Sequence, residues 1–180
     1  MGAYFLSMPL NVEIKARCDD IRAVRTILEY EGADYRGLDH QVDTYFRVPR
    51  GRLKLREGRL ENALVFYERE DKEGPKDSRV ILYQSQPDPN LKEALKAACG
   101  VSVVVDKLRH IYFIENVKFH VDAVQDLGKF CEIEAIDSSG KIGKAKLLKQ
   151  CRHYMKVLGI KDEDLVSCSY SDLLLQKLKK

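Results

Sequence analysis

The residues of this chain that could do chemistry are sorted by charge and by spacing. Lys15, Lys54, Arg56, Arg69, Arg79, Lys107 and Arg109 supply cations, and Glu13, Asp122, Glu132 and Glu134 supply carboxylates. Most take every second position: Glu13 and Lys15 flank Ile14, Lys54 and Arg56 flank Leu55, and Lys107 and Arg109 flank Leu108. Lys118, His120 and Asp122 alternate with Phe119 and Val121, and Glu132 and Glu134 flank Ile133. Guanidinium forks match phosphate oxygens two at a time, and lysines add point charge. Carboxylates gathered on neighbouring strands suit Mg²⁺ or Mn²⁺, which also bridge phosphate oxygens. Together they read as a site for a polyphosphate and a divalent metal. The same alternation is also what the wetted face of an ordinary antiparallel sheet shows. Two features favour a site: the acids cluster in short motifs apart from the cations, and Glu132-Ile133-Glu134 sets two carboxylates on one strand face.

Strands must position these residues, because only a strand sends alternate side chains to opposite faces. The pattern predicts strands over 10–17, 41–48, 52–57, 63–70, 78–85, 101–113, 117–124 and 130–136. Pro49-Arg50-Gly51 and the polar run from Asp71 to Asp77 supply turns. Helical spacing is expected after Asp19 or Asp20 (Ile21, Val24, Ile27, Leu28, closed by Gly32), over 91–98, over 141–158 and over about 170–178. Connections this short leave little room for parallel crossovers, so the fold class is α+β with an antiparallel sheet. About eight strands in a meander could close, fully or nearly, into a barrel with a tunnel. The helices need apolar surface to cover, which turns the apolar faces outward and leaves the charged faces to line the interior. Ions buried there without partners would each cost several kcal/mol, so such an interior must be wet and must hold anions.

With 180 residues, 44 % of them hydrophobic, the chain can build one domain with a real core. Met1 to Met8 read as a flexible start and 141–180 as C-terminal helices of the same domain. A formal net charge of +3 is too weak to imply nucleic-acid binding. Five cysteines without C-x-x-C spacing argue against a disulfide framework or a zinc site and for a cytoplasmic, reducing setting. No apolar run approaches the ~20 residues that span a bilayer. Phosphate-loop, nucleophile-elbow and dinucleotide motifs are all missing from the sequence.

In order along the chain stand Asn11-Val-Glu-Ile-Lys15, Asp43-Thr-Tyr-Phe46, Gly51-Arg-Leu-Lys-Leu-Arg-Glu57, Tyr67-Glu-Arg69, Lys107-Leu-Arg109, His120-Val-Asp122, Leu127-Gly-Lys-Phe130, Glu132-Ile-Glu134 and Ser169-Tyr-Ser-Asp-Leu173. This series resembles the CYTH superfamily, the triphosphate tunnel metalloenzymes, and most of all proteins similar to class IV adenylyl cyclases. The resemblance implies a tunnel barrel that binds a small-molecule triphosphate with Mg²⁺ or Mn²⁺. It implies Glu13, Asp122, Glu132 and Glu134 as metal ligands and Lys15, Lys54, Arg56, Arg69, Lys107 and Arg109 as the phosphate grip. Glu13, Lys15 and Glu132 would be the catalytic residues.

One position departs from the pattern. Asn11 stands where the E-x-E-x-K motif has its first glutamate, and an amide oxygen brings no negative charge and accepts no proton. Three functions follow: an enzyme acting on an organic triphosphate, as cyclase or hydrolase; a tunnel that binds a triphosphate without turnover; or an open scaffold with wetted charges. Neither nucleic acid nor membrane is an expected partner. A homodimer could cover edges left by an incompletely closed barrel.

Overall fold

The computed structural model describes residues 10–69 and 75–179, without the side chains at 69 and 76–79. The N-terminal stretch, the heart of the turn after residue 69, and the Arg69 and Arg79 side chains therefore lie outside the described residues.

Eight strands form the fold: β1 (Leu10–Arg17), β2 (Asp34–Phe46), β3 (Arg52–Glu57), β4 (Ala63–Arg69), β5 (Lys76–Gln84), β6 (Val101–Ile114), β7 (Val117–Val124) and β8 (Gly128–Asp137). They close into a barrel in the order β1-β5-β4-β3-β2-β6-β7-β8, with every neighbouring pair antiparallel. The β1–β8 seam is long, from Leu10↔Asp137 to Arg17↔Phe130, whereas among the described residues β1 pairs with β5 from Leu10↔Arg79 to Glu13↔Lys76. The helices are α1 (Ile21–Tyr30), α2 (Pro89–Cys99), α3 (Lys144–Val157) and α4 (Tyr170–Leu178), with a 3₁₀ turn at Asp162–Asp164.

The local chemistry that sets these elements is simple. Asp20 caps α1 by accepting from the Arg22 and Ala23 amides at 2.9 and 3.1 Å. Ser169 and Asp172 form a capping box at the start of α4. Gly51 turns β2 into β3 at φ +64°, and a Cβ there would meet the Phe66 ring at 2.8 Å.

The barrel wall separates two apolar layers. Outside, Val12, Ile14, Phe119, Val121, Cys131 and Ile133 pack beneath Val24 and Leu28 of α1 and Leu147 and Cys151 of α3. These are the residues that alternate with the charges, so on β1, β7 and β8 the apolar face does point outward under helices. Inside, at one end, Tyr45, Val103, Val105, Phe130 and Tyr170 are buried together, with Leu173 and Leu174 of α4 against them. Helix α4 thus covers one end of the barrel.

Strand β2 is longer than the predicted 41–48. Its first half, Asp34 to His40, carries no apolar alternation and is held by pairing with β6, across a register shift between Tyr35 and Gly37.

Candidate functional site

Beyond the apolar end lies a cavity of about 270 Å³. Glu13, Lys15, Lys54, Arg56, Lys107, Arg109, Lys118, His120, Glu132 and Glu134 all line it. The alternating charges therefore converge inside the barrel, and an open scaffold with wetted charges does not describe the fold.

The cations are arranged around two buried carboxylates. Asp43 on β2 accepts from Lys54 Nζ at 3.0 Å, Arg56 Nε at 2.8 Å, Arg56 Nη2 at 3.0 Å and Lys107 Nζ at 2.7 Å. Burial alone would push the Asp43 carboxyl up, but the Arg56, Lys107 and Lys54 charges outweigh it and hold it well below its ordinary value. Burial drives the Lys107 ammonium down to about 7 against the pull of Asp43, with the Arg56, Arg109 and Lys54 charges adding to the fall. Asp122 on β7 is the second anchor: Arg109 Nε donates to it at 2.8 Å and the Tyr170 hydroxyl of α4 donates at 2.8 Å.

Glu132 joins the two halves of the site. It lies 2.9 Å from Lys15 Nζ and accepts from Arg109 Nη2 at 2.8 Å. Burial would raise its carboxyl, but Lys15 and Arg109 hold it well below the ordinary range. His120 Nδ1 also lies 3.0 Å from Glu132, while its Nε2 is buried with no hydrogen-bond partner. Burial lowers the His120 imidazole to about 3, helped by the Arg109 and Lys118 charges, so the ring is neutral. Lys15 Nζ sits 3.9 Å from the centre of the Tyr170 ring, which ties the closing helix to the site.

Towards the other end, the acids gather. Glu13 and Glu134 are direct cross-strand neighbours on β1 and β8. Glu134 also faces Lys118 of β7, its cross-strand neighbour on the other side. Asn11 lies beside them: its amide nitrogen donates to Glu134 Oε1 at 2.7 Å, and its Oδ1 is buried without a partner. Among the described residues no three His, Cys, Asp or Glu side chains converge as a ready-made ligand cluster. Magnesium-like ions do not need one, since they are ordinarily held by one or two carboxylates, waters and the phosphates themselves. An all-oxygen pair with an orphaned amide oxygen alongside fits such an ion. Of the four expected metal ligands, Glu13 and Glu134 face each other here. Glu132 and Asp122 lie among the cations, with the oxygens of Asp122 taken by Arg109 and Tyr170.

Three members of the site were not among the expected residues. Asp43 sits inside the quoted Asp43-Thr-Tyr-Phe46 motif, and its place opposite Arg56 in the β2–β3 register was the available signal. Tyr170 lies on a helix whose apolar spacing gave no hint of the barrel interior. Glu61 comes from the β3–β4 connection, where periodicity says nothing. Asp39, fully buried, accepts from the Arg59, Leu60 and Glu61 amides at 2.6, 2.9 and 3.1 Å and pins that connection. Glu61 then pairs with Lys118 and accepts from Arg56 Nη1 at 3.1 Å. Burial would raise its carboxyl, but Lys118 and Arg56 hold it far below the ordinary range.

The model of the CYTH domain matches residues 9–170, nearly all of the barrel and the start of α4. The chain belongs to the CYTH family. A Methanocaldococcus jannaschii protein provisionally named an adenylate cyclase is 26 % identical over 178 residues, covering 91 % of this chain and 98 % of that protein. A structure from Pyrococcus horikoshii is similar at 28 % identity and a TM-score of 0.77, covering 91 % of this chain and 98 % of that one. A Pyrococcus furiosus structure is similar at 25 % identity and a TM-score of 0.75, covering 91 % and 99 %. The family supports an activity on triphosphates and accounts for the closed barrel around a charged interior. No helix among the described residues is long and apolar enough to cross a membrane.

Proposed function

We propose that this CYTH domain binds and turns over a small-molecule triphosphate with the help of a divalent cation, Mg²⁺ or Mn²⁺. The observation that carries the reading is the facing of two groups across one cavity: Lys54, Arg56, Lys107 and Arg109 on one side, and the Glu13–Glu134 pair on the other. The cations, with Lys15, grip the phosphate chain, and Asp122 holds the Arg109 guanidinium in a set orientation through Nε and Nη2. The family resemblance adds Arg69 to the grip. Glu13 and Glu134 hold the metal, with Glu132 behind them. The cation supplies charge neutralisation at the phosphate oxygens, which is most of what phosphoryl transfer requires.

On this reading the protein residues position and neutralise rather than form covalent bonds to phosphorus. Lys15 and Arg109 pair with the two different oxygens of Glu132, so ligand binding exchanges internal ion pairs for pairs to phosphate. As a hydrolase the site directs a water at the terminal phosphorus. As a cyclase it directs the 3′-hydroxyl of a nucleotide at the α-phosphorus, with pyrophosphate leaving. The name of the M. jannaschii relative supports the second outcome. The five unpaired cysteines support a reducing, cytoplasmic setting.

Asn11 supports a second reading, a module that holds a triphosphate without turning it over. Its amide donates to Glu134, which occupies one of the oxygens a second metal would need. One experiment separates the readings. The purified chain is incubated with ATP, thiamine triphosphate and tripolyphosphate in Mg²⁺ or Mn²⁺, and orthophosphate, pyrophosphate and cyclic nucleotide are measured. Turnover lost in Glu132→Gln is expected for the enzyme. Tight binding without product, with turnover appearing in Asn11→Glu, is expected for the module. No binding of any triphosphate refutes both.

A further inference from the structure

Among the described residues, His120 is the histidine that lines the cavity, and its side chain is almost fully buried. It stands on β7 between Lys118 and Asp122, opposite Glu132 across the β7–β8 pairing. Its Nδ1 lies 3.0 Å from Glu132 Oε2. Glu132 is ionised beside Lys15 and Arg109, and a carboxylate only accepts, so the hydrogen between the two belongs to Nδ1. In the neutral ring Nε2 is then a bare lone pair, and no donor among the described residues meets it.

A buried acceptor left empty costs about 1–3 kcal/mol, so this lone pair calls for a partner from outside the chain. Phosphate oxygens do not answer, because they are themselves acceptors and are served by the lysines and arginines around them. A metal cation is disfavoured there, because the Arg109 and Lys118 charges face the ring. What remains is an O–H donor. The proposed turnover needs one such donor, the water or sugar hydroxyl that attacks phosphorus.

We infer that His120 Nε2 accepts a hydrogen bond from the attacking hydroxyl and turns its oxygen towards the phosphate chain in the cradle. The inference rests on the triphosphate-turnover reading above and adds to it the group that positions the nucleophile. The new O–P bond forms as the bond from phosphorus to the leaving phosphate oxygen breaks, and the hydroxyl proton ends on the released phosphate. The ring keeps its own Nδ1 hydrogen throughout.

Two variants test this. His120→Asn places its amide nitrogen where Nδ1 stands, so it keeps the donation to Glu132 and leaves nothing at Nε2. The substrate is whichever of ATP, thiamine triphosphate and tripolyphosphate the wild type turns over in Mg²⁺. In His120→Asn kcat is expected to fall about 10²-fold, while KM and the calorimetric affinity for tripolyphosphate stay as in wild type. His120→Gln carries an amide oxygen to the place of Nε2 and is expected to regain about tenfold of that loss. An unchanged kcat in His120→Asn would overturn the inference and leave the triphosphate reading standing. So would a fall in affinity that accounts for the lost rate, or a His120→Gln no faster than His120→Asn. Mn²⁺ held more weakly by His120→Asn than by wild type, with no phosphate present, would give Nε2 to the metal instead. Wild type that binds triphosphate without product would overturn the inference together with the enzyme reading.

Discussion

Asp43→Asn isolates the cost of the cationic cradle. The Asp43 carboxylate is almost fully buried and takes hydrogen bonds from Lys54, Arg56 and Lys107, all within 3.0 Å. Asparagine keeps the shape, so no cavity term enters; the change removes the charge and turns one accepting oxygen into an NH2 that faces cationic donors. Breaking a buried ion pair by removing one partner costs about 3–5 kcal/mol. Lys107 sits near 7 and is already mostly neutral above that pH, so there the charges left without their partner are those of Lys54 and Arg56. The expected loss is therefore at the lower end, about 3 kcal/mol. For a chain of 180 residues this lowers Tm by about 6–12 °C. Tripolyphosphate should then stabilise the variant more than the wild type, because it meets cations that have lost their internal partner. At a hundredfold excess over Kd a ligand contributes about 2.7 kcal/mol, enough to recover most of the loss. Thermal melts of both proteins, with and without tripolyphosphate, measure every quantity involved. A variant melting within about 2 °C of wild type, or one that tripolyphosphate protects no better than wild type, would refute the reasoning.

Three further outcomes follow from the same geometry. The Lys107 ammonium, lowered by burial to about 7, must regain its proton to meet phosphate. Tripolyphosphate binding at pH 8 should take up close to one proton, and affinity should fall about tenfold for each pH unit above 7. Lys107→Arg, which stays charged, should abolish both effects; calorimetry in two buffers of different ionisation enthalpy checks this, and no uptake in wild type would contradict it. The same depression makes folding stability rise from pH 7 towards the ordinary lysine value of 10.5, because the unfolded chain then binds the extra proton. Tyr170→Phe removes a buried hydrogen bond to the Asp122 carboxylate and should cost about 1.5–3 kcal/mol in urea unfolding, whereas an unchanged midpoint would mean that α4 is not anchored through that hydroxyl.

Much of this arrangement is written in the period of the chain. Val12, Ile14, Phe119, Val121 and Ile133 alternate with charges because they sit under α1 and α3 while their neighbours face the cavity. That alternation reveals the strands and which face turns inward. It does not reveal register, and register makes the ion pairs: Arg109 meets Asp122 because β6 and β7 align those two residues. For that reason the sequence did not show that Asp122, a metal ligand by the family resemblance, also takes hydrogen bonds from Arg109 and Tyr170. The first half of β2 shows no strand period in the sequence because Tyr35 and Leu38, its large apolar residues, do not alternate, and it is held by backbone pairing to β6. Glu61 and Leu60 escaped because a connection has no period. The buried carboxylate of Asp39, more than 20 residues away in the case of Leu60, holds their backbone in place.

A crystal structure with tripolyphosphate and Mn²⁺ tests the central claim most directly. The account predicts the phosphate chain inside the barrel against Lys54, Arg56, Lys107 and Arg109, with the metal between it and the Glu13–Glu134 pair. Phosphate found on the outer faces, with the internal ion pairs of Asp43 and Glu132 unchanged, would contradict it.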